Sequence, residues 1–159
     1  MILLGAIFED FVNYKVPCMT LEFPMCSFKC EKECGKPVCQ NGALANAPIV
    51  EIDAQALVQR YLDNPIAGAL CCQGLEPFDS WDDLFDICNE FRRRCDDDIV
   101  IYTGYYKCEI QDKIQILKSF FHTNIVIKFG RFVPNQKSHY DSVLGVELAS
   151  DNQYAERIC

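Results

Sequence analysis

The sequence is poor in basic residues and has no long apolar segment. Lysine and arginine number 15 against 23 aspartates and glutamates, which gives a net charge of −8. Because surfaces that bind nucleic acid are basic, this balance argues against a nucleic-acid partner. No uncharged apolar stretch reaches the roughly 18 residues that a membrane-spanning helix needs, so the sequence also argues against a membrane protein.

The first residues do not match the pattern of a secretory signal either, and we expect none. Residues 1–8 are apolar, but no basic region precedes them and Glu9 and Asp10 follow at once. The 11 cysteines are an odd number, whereas a disulfide framework uses an even one. We therefore expect reduced thiols and a cytoplasmic protein.

Histidine is scarce too, with only His122 and His139 in the chain. We expect the first at a helix end and the second in an irregular C-terminal segment. Neither forms part of a Ser/His/Asp or Cys/His pattern, so the sequence gives no support for a hydrolase.

Length and composition predict one globular domain over residues 1–159. Half of the residues are hydrophobic and 24% are charged, and a chain of 159 residues can bury a single core. The sequence contains no internal repeat and no low-complexity linker.

Apolar and amphipathic segments alternate along the chain, which predicts parallel strands joined by helices. The predicted strands are 16–22, 66–72, 98–103 and 124–128, with a further short strand near 143–148. The predicted helices are 53–63 with Asp53 as its N-cap, 80 to about 94 with Ser80 as its N-cap, and 110–121. The residues expected to face the core are Ala56, Leu57, Tyr61 and Leu62 on the first helix and Leu84, Ile87, Cys88 and Phe91 on the second.

Four cysteines follow the first predicted strand in a single loop, namely Cys26, Cys30, Cys34 and Cys39. Thiolates spaced this closely are ligands for a soft metal centre, and an iron–sulfur cluster and zinc are the main candidates. Four thiolates can close a tetrahedral structural zinc site, which would make the chain a cysteine-rich interaction module without enzymatic activity. Zinc would leave the glycine turns described next unexplained.

Glycine turns follow the next two predicted strands. They read Gly74-Leu-Glu-Pro77 and Tyr102-Thr-Gly-Tyr105. In parallel α/β folds, ligands bind at the carboxyl ends of the strands. One edge of the sheet should therefore gather the thiolates, a glycine turn with a carboxylate and a second glycine turn, which is the layout of an enzyme pocket.

Segments spread over most of the chain recur together in one family. They are Asp10-Phe-Val-Asn13, the cysteine loop with its end Cys39-Gln-Asn41, the two glycine turns, Gly130-Arg-Phe132 and Ala149-Ser-Asp-Asn-Gln153. In this order they resemble the radical S-adenosylmethionine (SAM) superfamily, and within it the activating proteins of anaerobic ribonucleotide reductase. The family has a cluster motif that ends in Cys-x-Asn, a Gly-Gly-Glu-Pro turn, and later Thr-Gly-Tyr, Gly-Arg-Phe and Gly-Ser-x-Asn-Gln segments.

The resemblance implies a [4Fe–4S] cluster held by Cys26, Cys30 and Cys39. The family spacing is C-x3-C-x2-C, and the first interval is kept here. Aligning on the Cys-x-Asn ending makes Cys39 the third ligand, across an insertion that contains the alternate ligand Cys34. Val38 stands where the family has an aromatic residue.

The resemblance also implies that SAM binds at the open iron of the cluster. The implied SAM-binding residues are Asn41, Gly74, Glu76, Pro77, Thr103 and Gly104. Gly74 and Glu76 would hold the methionine end, and Thr103 and Gly104 would lie along the ribose. Leu75 replaces the second glycine of the family's turn, where a side chain would crowd a backbone that approaches the ligand closely.

The implied fold is a small, incomplete (β/α) barrel of the radical-SAM type, since a complete barrel needs about 250 residues. The implied activity is that of an oxidoreductase that cleaves SAM reductively to a 5′-deoxyadenosyl radical and forms a glycyl radical on anaerobic ribonucleotide reductase or another glycyl radical protein. The implied electron donor is a protein of the flavodoxin or ferredoxin type. We expect Arg131, Phe132 and Asn152 to contribute to the docking face, and the alternative substrate is another protein or peptide.

Overall fold

A six-stranded mixed sheet forms the centre of the protein in a computed structural model that describes residues 1–159. The strands are β1 (Ile2–Leu3), β2 (Gly5–Asp10), β3 (Cys18–Phe23), β4 (Val50–Glu51), β5 (Ala69–Gly74), β6 (Asp98–Tyr102), β7 (Ile125–Phe129), β8 (His139–Asp141), β9 (Val146–Leu148) and β10 (Tyr154–Arg157). The helices are α1 (Lys29–Cys34), α2 (Ala54–Leu62), α3 (Trp81–Arg92) and α4 (Gln111–Phe121), with 3-10 turns at Gly42–Asn46, Pro77–Ser80 and Lys107–Glu109.

The order of strands in the sheet is β10-β7-β6-β5-β3-β2. Strands β3, β5, β6 and β7 are parallel, as predicted, and the edge strands β2 and β10 run antiparallel to their neighbours. The pairs β1–β4 and β8–β9 form two small antiparallel ribbons. The six strands form an open sheet, and the incomplete barrel stays a prediction.

The predicted strand bounds hold for three of the four parallel strands to within two residues. The exception is β5, which begins at Ala69 rather than at Ile66, since Ile66 lies before the sheet and is 43% exposed. The edge strands β2 and β10 were not predicted, because their burial pattern is mixed rather than continuously apolar. The C-terminal segment predicted as one strand near 143–148 contains β9 only from Val146.

Helix α2 begins as predicted, because the Asp53 carboxylate accepts a hydrogen bond from the backbone N–H of Ala56 at 3.3 Å. Its buried face differs from the predicted one. Leu57 and Tyr61 are buried, but Val58 completes the face, whereas Ala56 and Leu62 are exposed. The buried face is therefore rotated relative to the predicted one. Val58 and Tyr61 lie one and four positions after Leu57, which places all three on the same side of the helix.

Helix α3 has the predicted core face, with Leu84, Ile87, Cys88 and Phe91 all buried. The prediction that Ser80 caps it through its side chain is wrong. Ser80 stands before the first helical residue, but its hydroxyl is buried and has no hydrogen-bond partner. The chain enters α3 from a 3-10 turn, which takes the place of a side-chain cap.

The two faces of the sheet are covered differently. The larger apolar cluster includes Leu70, Ile99 and Ile127 and lies against α2, α3 and α4. The opposite face carries a smaller cluster that includes Val100 and Val126, covered by the segment around β8 and β9. All three long helices therefore lie on one face of the sheet, and no long helix covers the other face. None of the helices combines the length and apolar character that crossing a bilayer requires.

Candidate functional site

A cavity of about 350 Å³ lies at the carboxyl ends of the four parallel strands. It is lined by most of the residues that the sequence singled out, namely Cys26, Cys30, Cys39, Asn41, Gly74, Glu76, Thr103 and Gly104. Two predicted residues do not line it. Pro77 is buried in the 3-10 turn behind Glu76, and Cys34 is the last residue of α1.

The first wall of the cavity is formed by residues 24–41, which we call the cysteine segment. Its thiols at Cys26 and Cys30 are partly buried, and the Cys26 sulfur accepts a hydrogen bond from the Phe28 N–H at 3.2 Å. Burial raises the pKa of Cys26 to about 11, and burial together with the neighbouring Cys39 raises the pKa of Cys30. In the metal-free protein these two thiols are therefore protonated at neutral pH, so cluster binding must release protons.

The cysteines are not grouped around a single point. No three histidine, cysteine, aspartate or glutamate side chains are arranged to hold one metal ion, so the four-cysteine zinc site is not formed. In a [4Fe–4S] cluster each thiolate binds a different iron, so the ligand sulfurs stand farther apart than around one zinc ion. Three thiolates on one cavity wall, Cys26, Cys30 and Cys39, are a donor set that fits such a cluster.

The start of the cysteine segment is held by Asp79, which sequence reasoning missed. One oxygen of the Asp79 carboxylate accepts from the Ser27 N–H at 2.6 Å, and the other accepts from the Tyr105 hydroxyl at 2.5 Å. Ser27, the residue after Cys26, is thereby linked to the 3-10 turn that follows the first glycine turn and, through Asp79, to Tyr105 of the second. Asp79 lies in a short acidic stretch without a motif, so only its contacts identify it.

An ionic network links α1 to Glu109 and Arg131. Arg131 binds Glu109 through two nitrogens at 2.9 Å and Glu33 of α1 at 3.0 Å, and Lys29 of α1 also binds Glu109 at 2.9 Å. The Arg131 side chain is only 4% exposed. Arg131 lines the cavity and its charge is paired inside the molecule, while its contribution to a docking face stays a prediction.

The segment at 149–153 also has an internal role in the structure. Asn152 donates to the backbone carbonyl of Arg131 at 2.9 Å, and Gln153 donates to the carbonyl of Gly130 at 3.2 Å. The two C-terminal motifs of the sequence therefore bind each other. Phe132 lines the cavity beside them.

Glu76 joins the two glycine turns. We call residues 74–77 of the first and 103–104 of the second the strand-end turns. One of its oxygens accepts from the Thr103 hydroxyl at 2.8 Å and from the Phe78 N–H at 3.1 Å, and the other accepts from the Gly104 N–H at 2.8 Å. Burial raises the pKa of Glu76 to about 7, although these three donors oppose the increase. The carboxylate thus fixes the shape of both turns at the cavity floor.

Gly74 is required by a close approach of two strands. Its φ is +104°, and a Cβ at this position would lie 2.5 Å from the backbone nitrogen of Phe23. Asn41 donates to the Gly74 carbonyl at 2.9 Å, which ties the end of the cysteine segment to the turn. Leu75 has no positive φ, so its side chain does not strain the backbone, and the residue lines the cavity.

A row of polar side chains on the open face of the sheet was also missed. It consists of Glu22, Gln73, Tyr102 and Lys128, one from each parallel strand, and all four line the cavity. Each stands at the last or last-but-one position of an otherwise mostly apolar strand. A polar residue at such a position is the signal that could have found them.

A family model described as a 4Fe-4S single cluster domain matches residues 18–153. The match includes the cysteine segment, both strand-end turns and the C-terminal motifs. No curated protein and no solved structure matches the chain.

Proposed function

The chain belongs to the 4Fe-4S single cluster domain family, and we propose that it is a radical SAM oxidoreductase. One observation carries the proposal. Three cysteines and both strand-end turns line a single cavity at the carboxyl ends of the parallel strands. A domain that only carried electrons would need the cysteines but not the turns, which supply polar groups beside the cluster site.

We assign Cys26, Cys30 and Cys39 as the cluster ligands and leave Cys34 out, because Cys34 does not line the cavity. Three protein ligands leave one iron of a [4Fe–4S] cluster open to a further ligand. When bound, such a cluster supplies the electron that cleaves the sulfonium of SAM to methionine and a 5′-deoxyadenosyl radical.

The chain's own residues would bind and orient SAM. Gly74, with its carbonyl held by Asn41, would bound the methionine end together with Glu76. Thr103 and Gly104 would lie along the ribose, in a turn whose shape Glu76 fixes. Pro77 would act indirectly, by starting the 3-10 turn behind Glu76.

The proposed target is a glycine of anaerobic ribonucleotide reductase or of another glycyl radical protein, with electrons from a flavodoxin- or ferredoxin-type donor. The support is the resemblance of the motifs to those of the activating proteins. A radical SAM enzyme with another protein or peptide substrate is the alternative.

Anaerobic reconstitution with iron and sulfide tests the first part. We expect about four irons and four sulfides per chain, the content of one such cluster, and release of 5′-deoxyadenosine when SAM and a reductant are added. Bound zinc without sulfide would instead identify a structural metal site. A loaded cluster that neither binds nor cleaves SAM would contradict the radical SAM assignment.

The target is tested by electron paramagnetic resonance on a mixture with the reductase from the same genome. A doublet signal that requires both SAM and this protein would support the activase function. SAM cleavage without a glycyl radical would shift the assignment to another protein or peptide.

A further inference from the structure

Asp79 lies behind the wall of the cavity, next to a proposed cluster ligand. It belongs to the 3-10 turn Pro77–Ser80 and does not itself line the cavity. One oxygen of its carboxylate accepts from the Ser27 N–H at 2.6 Å. The Ser27 nitrogen is bonded to the carbonyl carbon of Cys26, so the carboxylate lies against the backbone beside that ligand. Asp79 therefore borders the cluster site without contacting the space that a ligand would occupy.

The Asp79 carboxylate is held from two sides. Its other oxygen accepts from the Tyr105 hydroxyl at 2.5 Å, and that hydroxyl lies 3.3 Å from the Ser27 hydroxyl. Tyr105 is itself fixed, since its N–H donates to the hydroxyl of the buried Thr103 at 3.0 Å. Because both carboxylate oxygens are bound, the charge of Asp79 keeps a constant place beside Cys26.

No basic side chain neutralises this charge. Asp79 belongs to none of the ion pairs in the structure. The Lys29 ammonium lies over the Tyr105 ring at 4.5 Å, but it is paired with Glu109 at 2.9 Å. The two donors that bind Asp79 are neutral, so they hold the carboxylate and leave its charge in place. A negative charge beside a cluster ligand makes electron uptake by the cluster less favourable.

The turn that Asp79 holds also contains a hydrogen bond to the ligand sulfur. The N–H of Ser27 donates to Asp79, and the next N–H along the chain, that of Phe28, donates to the Cys26 sulfur at 3.2 Å. Net charge and hydrogen bonds to sulfur are two of the means by which a protein sets the potential of an iron–sulfur cluster. Both act here at one ligand, and Asp79 supplies the charge.

We propose that Asp79 lowers the reduction potential of the cluster by holding a negative charge beside the Cys26 ligand. The inference rests on the proposed function for the choice of ligands, and it adds to that function a positioning residue that controls electron uptake. A cluster of lower potential is a stronger reductant, which suits the proposed cleavage of the SAM sulfonium.

The test measures the potential of the loaded cluster and not its activity. Cluster-loaded protein without SAM is titrated with dithionite in the presence of redox mediators, and the reduced cluster is followed by electron paramagnetic resonance. Asp79→Asn removes the charge, while the amide can still accept from the Ser27 N–H and donate to the Tyr105 oxygen. We expect the ratio of reduced to oxidised cluster at a fixed potential to rise about tenfold, a shift of about +59 mV for one electron.

Control variants separate the charge from the geometry. Tyr105→Phe removes one hydrogen bond to the carboxylate and keeps the charge, so the potential should not rise. Asp86→Asn removes the same kind of charge from an exposed position on α3, outside the cavity, and should leave the potential unchanged. Asp79→Glu and Asp79→Gln repeat the comparison at one side-chain length, with and without the charge.

Iron content and thermal unfolding show whether each variant is loaded and folded. An unchanged potential in Asp79→Asn, or an equal rise in Tyr105→Phe, would overturn the role of Asp79 while leaving the cluster assignment intact. Because the potential is measured without SAM, a loaded cluster that does not cleave SAM would contradict the proposed function alone. If the unaltered protein takes up no cluster, the proposed function and the inference fail together.

Discussion

The cysteine segment and the strand-end turns face the same cavity but are built in different ways. No residue from 24 to 56 is buried, whereas Glu76 and Thr103 are almost completely buried. Each turn is also tied by a backbone hydrogen bond to a neighbouring strand of the sheet. The Leu75 N–H donates to the Phe23 carbonyl, and the Thr103 N–H donates to the Lys128 carbonyl. The cysteine segment is held mainly by side chains, at Asp79, Glu109 and Arg131.

This contrast separates two tasks within one site. The strand-end turns belong to the folded core and are preformed, so the ligand groups they offer are in place before any ligand binds. The cysteine segment has little buried surface to stabilise it, and local stability follows buried contacts. We therefore expect cluster binding to add order to the segment, whereas the turns depend on folding alone. Substitutions in the two regions should affect different measurements.

The largest expected effect is on iron content, in the cysteine segment. Cys26→Ala, Cys30→Ala and Cys39→Ala should each reduce the bound iron to near background, because a cluster with only two thiolates is not retained. Cys34→Ala is the control and should keep most of the iron. Thermal unfolding of the metal-free forms should change little, because these side chains are not fully buried. Loss of iron in Cys34→Ala with retention in Cys39→Ala would reassign the third ligand.

The strand-end turns should show the opposite behaviour, with a loss of folding stability. Gly74→Ala places a Cβ 2.5 Å from a backbone nitrogen at a φ of +104°. We expect the free energy of unfolding of the metal-free protein to fall by about 2–4 kcal/mol from strain and overpacking. Gly104→Ala is the matched control, since its Cβ would meet no atom closer than 3.6 Å. Urea unfolding measures the stability of both variants. An equal loss of stability in Gly74→Ala and Gly104→Ala would contradict the conclusion that the turn at Gly74 is preformed.

Glu76 should make stability depend on pH. Its pKa is raised from 4.5 to about 7 by burial, so the folded state binds this proton more tightly than the unfolded state. Its contribution to stability is fully present below about pH 4.5 and is lost as the pH rises through about 7. The total loss is roughly 3 kcal/mol by linkage. Urea unfolding of the metal-free protein between about pH 5 and about pH 7.5, a range that covers most of this window, should show the decline. Glu76→Gln should lack it, and an unchanged slope in that variant would assign the effect to another group.

The sequence was sufficient to predict which residues meet at the carboxyl edge of the sheet. Gly74, Glu76, Thr103 and Gly104 follow apolar segments directly, and parallel strands bring such positions together. The cysteine spacing was equally local. These features were predictable because each depends on residues close in the chain and on one rule of fold geometry.

Contacts between distant segments were not predictable in the same way. Arg131 was expected on a docking face, yet it pairs with Glu33 and Glu109, and no local pattern encodes those partners. Lys128 could have been singled out from its place near the end of an apolar strand, but only the fold shows that it lines the cavity. The side of α2 that packs on the sheet, with Val58 rather than Ala56, likewise depends on tertiary packing.

The smallest expected effect concerns the ion pair that links α1 to Arg131. Glu33→Gln should change the free energy of unfolding by less than about 0.5 kcal/mol, because the Glu33 side chain is 57% exposed and the buried Arg131 keeps its pair with Glu109. It should nevertheless speed amide hydrogen exchange in α1 of the metal-free protein, since α1 has no buried residue of its own. Exchange in the strand-end turns should not change. Glu90→Gln, which breaks the 3.8 Å pair with Arg93 at the end of α3, is the control and should leave α1 unaffected. If Glu33→Gln loosened the turns as much as α1, the two regions would form one cooperative unit, and the division of tasks between them would be wrong.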